Sequence, residues 1–308
     1  MSTSAMPTTP TDGSATLVAG RARMARVVVV AGILGVAMAV LWSPTLVDEV
    51  IAEGLAGPIL GPDLAEAPLV GAGSALLFAL VTGAAGMFTA CNVAVFSALA
   101  PVTARGGDRA AAVWPAVALV AGAVLVGGVY GAVGVHLGDV SAQLSPDRLD
   151  RLVQAAVVFG LLGAIMLWRG LAYAEYVRNP LAGLFARRPW TEHAMLGGLV
   201  GLFLVGRPYP PFRHLYSYAV QTGDSLLGFA TFALQSLGNV VGVVLLYALV
   251  LLVTRGRITA WMNGAPGRAA RVAAASFVLV GAFLIVYWAV RLPARAGVMW
   301  WPVMPWNA

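Results

Sequence analysis

Residues 194–219 read AMLGGLVGLFLVGRPYPPFRHLYSYA, an apolar stretch that Arg207-Pro208-Tyr209-Pro210-Pro211 interrupts near its middle. A simple membrane helix tolerates neither feature of this interruption. Proline removes a backbone donor, and a buried arginine costs about 2.5–3.5 kcal/mol at a helix centre on insertion scales. Non-helical backbone persists at membrane depth only where it is buried in protein or lines a wet cavity. The stretch therefore predicts a broken membrane helix with the functional centre at the break.

The composition around this stretch is that of a polytopic membrane protein. Hydrophobic residues make up 60% of the 308-residue chain, charged residues make up 10%, and the mean hydropathy is +0.85. Soluble domains carry about 25% charged residues. The 19 basic residues outnumber the 13 acidic ones, but they fall in connectors between apolar segments and report orientation. The lipid bilayer is therefore the expected partner, and no nucleic acid is expected.

Several classes of activity are disfavoured by what the sequence lacks. The single cysteine, Cys91, excludes an intrachain disulfide and a thiolate metal cluster formed by one chain. The sequence contains no HExxH, P-loop, GxSxG or CxxC pattern, and its three histidines are scattered. Hydrolase and kinase activities are therefore disfavoured, and neither a metal site nor a cofactor is predicted.

The apolar segments predict an all-α polytopic membrane protein of about seven transmembrane helices. Residues 1–20 are expected to form a disordered tail, because they are rich in Ser, Thr, Pro and Gly. Residues 21–69 combine an uncleaved signal anchor with an external loop, although a cleaved signal peptide remains an alternative. Further spans are expected at approximately 70–100, 112–138, 152–172, 194–219, 226–253 and 272–291.

The arginines predict the orientation of these spans. Alternate connectors contain Arg105, Arg109, Arg178, Arg187, Arg188, Arg255, Arg257, Arg268 and Arg271. The positive-inside rule assigns these connectors to the cytoplasm. The amino terminus is then cytoplasmic, and residues 292–308 form an external tail. Arg291 and Arg295 are exceptions to this pattern.

Two inverted three-helix repeats are predicted, with residues 70–193 as the first repeat and its connector and residues 194–291 as the second. Three spans in each half make the two halves cross the membrane in opposite senses. Such folds commonly place their site near the midplane, where broken helices from the two halves meet. Aligning the first span of each half sets residues 87–92 beside residues 207–212. A second broken helix is therefore expected around Cys91.

Polar side chains within the apolar spans are the candidate site residues. Cys91 is either an inert buried thiol, or a redox thiol or soft-metal ligand whose thiolate a nearby arginine stabilises. Arg207 and Arg213 either extend to a membrane interface or bond the carbonyls that the prolines free, or they form an anion or thiolate pocket. His214 is either a proton relay or simply hydrogen-bonded. The predicted cavity lining comprises Thr89, Asn92, Arg207, Tyr209, Arg213, His214, Gln235 and Asn239, and the predicted helix-breaking residues are Pro208, Pro210 and Pro211.

A polar stripe in the fifth repeat span adds to this set. Thr231, Gln235 and Asn239 recur at helical spacing and share one face. They either bond neighbouring helices or complete a hydrophilic cavity opposite the broken segments. Trp114-Pro115 and Asp224 are expected to start helices, and Arg169 is expected only to cap a cytoplasmic helix end.

Three segments together resemble the CcdA family and the membrane domain of DsbD. They are Thr89-Ala90-Cys91-Asn92, Gly206-Arg207-Pro208-Tyr209-Pro210-Pro211, and FATFALQSLGNVVG at 229–242. Those proteins are carriers of thiol reducing equivalents with six spans in an inverted repeat. The resemblance implies a bacterial cytoplasmic membrane protein of cytochrome c biogenesis, with Cys91 as its redox thiol and a thioredoxin-like partner bearing a CxxC motif.

The chain departs from the pattern of that family in two places. Ala90 replaces the usual proline, and the second segment contains no cysteine. Family members use two membrane cysteines that can form a disulfide, a bond that this chain cannot close alone. If it catalyses anything, it acts as a thiol–disulfide electron carrier rather than as a conventional enzyme. The alternatives are a small-solute or metal-ion transporter and a non-catalytic membrane assembly factor.

Overall fold

The computed structural model describes residues 12–61, 63–64, 68–88, 109–207, 209–255 and 257–307. Within these ranges the regular structure is entirely helical, which confirms the all-α prediction. The helices are α1 (Asp12–Leu41), α2 (Gly54–Leu60), α3 (Ala72–Ala85), α4 (Arg109–Gly134), α5 (Arg148–Tyr173), α6 (Ala182–Arg187), α7 (Pro189–Gly206), α8 (Pro210–Thr222), α9 (Ser225–Val253), α10 (Arg257–Asn263), α11 (Arg268–Leu284) and α12 (Leu292–Arg295). Shorter π- or 3₁₀-helical segments occupy Thr45–Glu53, Gly86–Phe88, Gly138–Val140, Ile285–Val290 and Pro305–Asn307.

Five of the described helical segments are long and apolar enough to cross a membrane. They are Gly20–Leu41, Trp114–Gly134, Arg148–Tyr173, Ser225–Val250 and Arg268–Arg295. Ala72–Ala85 is a shorter apolar helix. Large apolar side chains remain outside the bundle, and Ile33 and Leu161, for example, are each 62% exposed. This architecture indicates a multi-pass membrane protein whose outer surface faces lipid.

Several helix boundaries differ from the sequence-based expectation. α1 already begins at Asp12, so residues 12–20 extend the anchor helix rather than forming a tail. The expected external loop contains helical turns, because Ala52 and Ala56, one turn apart, are buried together with Phe78 of α3. α7 begins at Pro189 and thereby includes the end of the predicted connector. Pro115 lies inside α4 and does not start it.

The junction between α8 and α9 shows how local sequence fixes a helix end. Gly223 has φ 64° and ends α8 in the left-handed conformation, which costs glycine little because it has no Cβ. Asp224 then caps α9, and its Oδ1 accepts hydrogen bonds from the backbone N–H groups of Leu226 at 2.8 Å and Leu227 at 3.2 Å. The predicted helix start at Asp224 is confirmed.

Glycines allow the central helices to touch backbone to backbone. α4 packs against both α7 and α9, α3 packs against α9, and α5 packs against α11. A Cβ at Gly197 of α7 would clash with the carbonyl oxygen of Leu119 in α4. A Cβ at Gly238 of α9 would lie 2.5 Å from the carbonyl oxygen of Leu80 in α3. Small residues at such crossings are what membrane helices use to pack closely.

Gly197→Ala is expected to lower the free energy of unfolding by about 1–3 kcal/mol, because the α4 backbone cannot yield without separating the helices. Gly198→Ala is the matched control, since a Cβ there would make an ordinary contact at 3.4 Å with Cγ2 of Val126. Both changes alter helix propensity equally, so their difference isolates the clash. Thermal unfolding in detergent measures the difference in stability between the two variants. Equal midpoints of unfolding would contradict the tight α4–α7 contact.

α1 packs along α11, and the carboxyl-terminal tail closes over one end of this pair. A Cβ at Gly35 would clash with the carbonyl oxygen of Leu279. The rings of Trp42 and Phe283 meet edge-on with centroids 5.4 Å apart. Nε1 of Trp306 donates a hydrogen bond to the carbonyl oxygen of Leu41 at 3.1 Å. The tail is therefore bound to the end of α1.

The two arginines that depart from the charge pattern lie near this same end. The guanidinium of Arg295 lies 4.6 Å from the ring centroid of Tyr287 and 4.8 Å from that of Trp288. Arg291 lies 5.2 Å from the Tyr287 ring and 5.8 Å from the Trp301 ring. Cation–π contacts therefore hold both charges against aromatic surface.

The opposite end of the bundle holds the first turns of α7 and α11 and the last turn of α5, and α1 reaches it around Arg26. The ring of Tyr173 at the end of α5 stacks on Phe277 of α11 with centroids 5.7 Å apart. Arg26 of α1 and Ser276 of α11 line one groove. The connector at 174–188 follows α5 directly, so its exposed arginines lie at this end.

Candidate functional site

The predicted interruption lies between α7, which ends at Gly206, and α8, which begins at Pro210. Arg207 and Tyr209 have extended backbone conformations, with ψ of 110° and 127°. Each of them precedes a proline, and a following proline disfavours the helical conformation. Pro210 and Pro211 occupy the first turn of α8, where a missing N–H costs nothing. Pro208 lies outside the described residues.

Two glutamines satisfy a carbonyl group that this break exposes. Nε2 of Gln143 and Nε2 of Gln154 each donate a hydrogen bond to the carbonyl oxygen of Val205 at 2.7 Å. The sequence indicated Arg207 and Arg213 for such a role, and neither glutamine was predicted. Gln154 lies in an apolar helix, and a single amide side chain in such a helix could have indicated a buried hydrogen bond. The break is therefore held by side chains from outside its own helices.

Arg207 lies where the break meets two other helices. Its guanidinium carbon is 4.3 Å from the ring centroid of Tyr209, a buried residue. A Cβ at Gly86, just after α3, would lie 2.8 Å from Nη1 of Arg207 and 3.7 Å from Oδ1 of Asn239 in α9. The structure therefore brings Arg207, Tyr209 and Asn239 together against the turn that ends α3.

The polar stripe on α9 points into the bundle. Thr231, Gln235 and Asn239 are all buried, at 0%, 3% and 6% exposure. Oγ1 of Thr231 donates a hydrogen bond to the carbonyl oxygen of Leu227 at 2.9 Å, so this hydroxyl is satisfied within its own helix. Oε1 of Gln235 and Oγ of Ser236 are buried without a hydrogen-bond partner in the described part of the chain. Ser236 was not among the predicted site residues.

Arg213 and His214 lie farther along α8 and make different contacts. Nε of Arg213 donates a hydrogen bond to the backbone carbonyl of Gln143 at 3.0 Å. The ring of His214 meets Phe78 of α3 edge-on with centroids 5.8 Å apart. Arg213 therefore holds the segment between α4 and α5 against α8, whereas Arg207 faces α3 and α9.

The predicted redox segment is not part of the described structure. Thr89, Cys91 and Asn92 lie in residues 89–108, which are outside the described ranges. The chain is described up to the 3₁₀ turn Gly86–Phe88, which packs against α9. Among the described residues, no group of three or more His, Cys, Asp or Glu side chains is arranged to hold a metal ion.

A second polar cluster, which the sequence analysis did not predict, joins α5 to α7. Nη2 of Arg169 contacts Oε1 of Glu192, and both residues are buried, with 1% and 6% exposure. Oη of Tyr173 donates a hydrogen bond to the same carboxylate oxygen at 2.7 Å. The guanidinium carbon of Arg169 lies 5.3 Å from the Tyr173 ring and 5.0 Å from the Phe185 ring. Arg169 was expected to cap a helix end, and the ion pair was not predicted; it forms because α7 starts at Pro189 and buries Glu192 beside Arg169.

Comparisons of the chain with protein-family models, with curated proteins and with solved structures found no match. Inferences about function therefore depend on the positions and contacts of these side chains.

Proposed function

We propose that this chain is a multi-pass protein of the bacterial cytoplasmic membrane that passes thiol reducing equivalents across it in cytochrome c biogenesis. The observation that carries the proposal is the meeting of Gly86, Arg207 and Asn239. It sets the end of α3, which leads towards Cys91, against a guanidinium at the break between α7 and α8. A nearby arginine stabilises a thiolate, which is the nucleophilic form of cysteine.

The proposed architecture has about seven spans, with α3–α5 and α7–α11 as inverted repeats. Under this relation the α4–α7 contact is equivalent to the α9–α3 contact. Both are made by close glycine approaches, at Gly197 against Leu119 and at Gly83 against Gln235. Gly163 and Gly281 of α5 and α11 each approach the other's carbonyl oxygen, as a pair related by a two-fold axis would. These reciprocal contacts support the repeat and, with it, a site near the midplane.

The proposed orientation has a cytoplasmic amino terminus and an external carboxyl terminus. The arginine-bearing end of the bundle contains Arg178, Arg187 and Arg188, which are exposed. The positive-inside rule favours the cytoplasm for that end. The tail, bound through Trp306 to the end of α1, then lies on the external side.

The proposed chemistry needs one membrane thiol and two partner proteins. The Cys91 thiolate attacks the disulfide of an oxidised CxxC partner, which forms a mixed disulfide and releases the second thiolate of that partner. A thiolate of a reduced dithiol partner then attacks the Cys91 sulfur and frees the first partner as a dithiol. The second thiolate of the donor finally resolves the new mixed disulfide, which regenerates Cys91 and leaves the donor oxidised. Two electrons thereby pass from donor to acceptor.

Trapping of the mixed disulfide tests this proposal. A thioredoxin-like CxxC protein that lacks its resolving cysteine, and whose remaining cysteine is first loaded as a mixed disulfide with thionitrobenzoate, is expected to form a reducible adduct with the full chain in membranes, because the Cys91 thiolate displaces thionitrobenzoate. Cys91→Ser is expected to abolish the adduct, because Cys91 is the only thiol in the sequence. Non-reducing electrophoresis measures the adduct. Failure to trap any CxxC partner on Cys91 under conditions that trap a control carrier would reject the redox role.

Transport of a small solute or metal ion on the same scaffold is the alternative that a specific observation favours. The buried amide of Gln235 has no hydrogen-bond partner for Oε1 in the described residues and lies on the same helix face as Asn239. A polar ligand could use such groups in an alternating-access mechanism. Transport tolerates Cys91→Ser but not Arg207→Ala. A phenotype untouched by both changes would instead favour an assembly factor without turnover.

A further inference from the structure

A cavity of about 470 Å³ lies at the arginine-bearing end of the bundle, between α5, α6 and α7. Its size falls within the range of ordinary ligand pockets. Most of its wall is apolar and is formed by Ala172, Ala182, Phe185, Ala186 and Pro189. Such a wall accepts hydrocarbon and offers few hydrogen bonds to a fully hydrated solute.

Most polar groups that line this cavity are engaged within the chain, although Nε of Arg169 is buried without a hydrogen-bond partner among the described residues. Arg169 and Glu192 neutralise one another, and Tyr173 donates its hydroxyl to Glu192. Asn179 accepts a hydrogen bond from the backbone N–H of Leu181 at 3.0 Å through Oδ1. The cavity floor therefore carries no net charge, and burial of a bare anion there would gain little.

The rim of the cavity is different, because it is basic and exposed. Arg187 and Arg188 stand in the chain between the lining residues Ala186 and Pro189, and Arg178 precedes the lining residue Asn179. All three arginines are exposed, as is Glu175, so three positive charges face one negative charge in this connector. A ligand that is complementary to both the apolar wall and the basic rim has an apolar chain and an anionic headgroup.

The same connector has the side chains of an interfacial segment. Tyr176, Leu184 and Trp190 are 48%, 46% and 52% exposed. Tyrosine and tryptophan concentrate at the membrane–water interface, and clustered arginines there attract anionic lipid headgroups. The cavity consequently opens at the depth where phospholipid headgroups lie.

We infer that this cavity is a binding site for an anionic phospholipid. One lipid places apolar chain against the alanine and Phe185 wall, and its phosphate pairs with Arg187 and Arg188 at the rim. The inference rests on the membrane placement of the helices and not on the thiol chemistry. Failure of the mixed-disulfide trap would therefore leave it standing.

Native mass spectrometry of the full chain tests the inference, with dioleoylphosphatidylglycerol as the anionic probe and dioleoylphosphatidylcholine as the zwitterionic one. The wild-type chain is expected to retain one phosphatidylglycerol in preference to phosphatidylcholine. Removal of two of the three rim charges in Arg187→Ala/Arg188→Ala is expected to weaken its binding roughly thirtyfold. Arg255→Ala/Arg257→Ala removes two charges from another connector and is expected to leave binding unchanged. Ala186→Trp, which fills the cavity mouth, is expected to displace the lipid without a charge change.

Three results would overturn the site. Equal weakening by the two double variants would mean that only the general charge of the surface attracts the lipid. Retention of phosphatidylglycerol by a folded Ala186→Trp variant would mean that the cavity is not used. Displacement of the lipid by free glycerol 3-phosphate would mean that a soluble phosphate is the ligand.

Discussion

Replacing Glu192 with alanine is expected to lower the free energy of unfolding by about 3–5 kcal/mol. The change removes the carboxylate that the guanidinium of Arg169, a residue that is 1% exposed, contacts in the described part of the chain. It also removes the acceptor of the Tyr173 hydroxyl. A buried charge without its partner costs far more than the pair contributes, because its desolvation is no longer offset. Denaturant unfolding in detergent micelles, followed by circular dichroism, measures the loss.

The double variant Arg169→Met/Glu192→Leu separates a stranded charge from lost packing. Well-packed apolar residues often replace a buried ion pair at no net cost, so this variant is expected to recover most of the lost stability. Glu192→Gln keeps an acceptor for Tyr173 and is expected to be intermediate. If the double variant were as unstable as Glu192→Ala, the cost would lie in shape and not in the uncompensated charge.

Arg207→Ala is expected to slow alkylation of Cys91 at neutral pH by about tenfold or more. An opposite charge within about 4–6 Å favours the ionised form of a titratable group by one or more powers of ten. In the proposed function the guanidinium of Arg207 lies close to the thiolate of Cys91, which is the reactive species, so its loss is expected to reduce the reactive fraction. The rate of labelling by a membrane-permeant maleimide, read by mass shift, measures the effect.

Arg213→Ala is the matched control for this experiment. This variant also removes one positive charge, from α8. Nε of Arg213 donates its hydrogen bond to the backbone carbonyl of Gln143, away from α3 and α9. Labelling of Cys91 is expected to stay unchanged in this variant, although stability falls with the lost hydrogen bond. Equal labelling rates in wild type and Arg207→Ala, together with lost solute uptake in Arg207→Ala, would replace the redox proposal with the transport alternative.

Local sequence preferences, which involve only a few neighbouring residues, made some helix ends predictable. A proline disfavours helix at the residue before it, so the break at 207–209 followed from the sequence. The helix start at Asp224 followed from its capping side chain. Arg207 and Asn239 were both assigned to the predicted cavity lining, and both lie beside Gly86.

Contacts between distant segments were beyond sequence reasoning. Arg169 meets Glu192 only because α5 and α7 pack side by side at one end of the bundle. Glu192 was expected in a connector, where water solvates a carboxylate and no ion-pair partner is needed. Gln143 lies in a short turn, and nothing in its neighbours shows that it reaches the Val205 carbonyl. Such pairings depend on helix packing, which hydrophobic periodicity does not specify.

The contact between α1 and α11 constrains how the chain is made. α1 is synthesised long before α11, the helix that packs along it. At about 5–20 residues per second, the wait lasts on the order of tens of seconds. During this interval Gly35 and its neighbours face lipid or an insertase rather than α11. Nascent chains arrested before residue 268 should therefore be recognised by membrane quality-control proteases through an uncovered first helix.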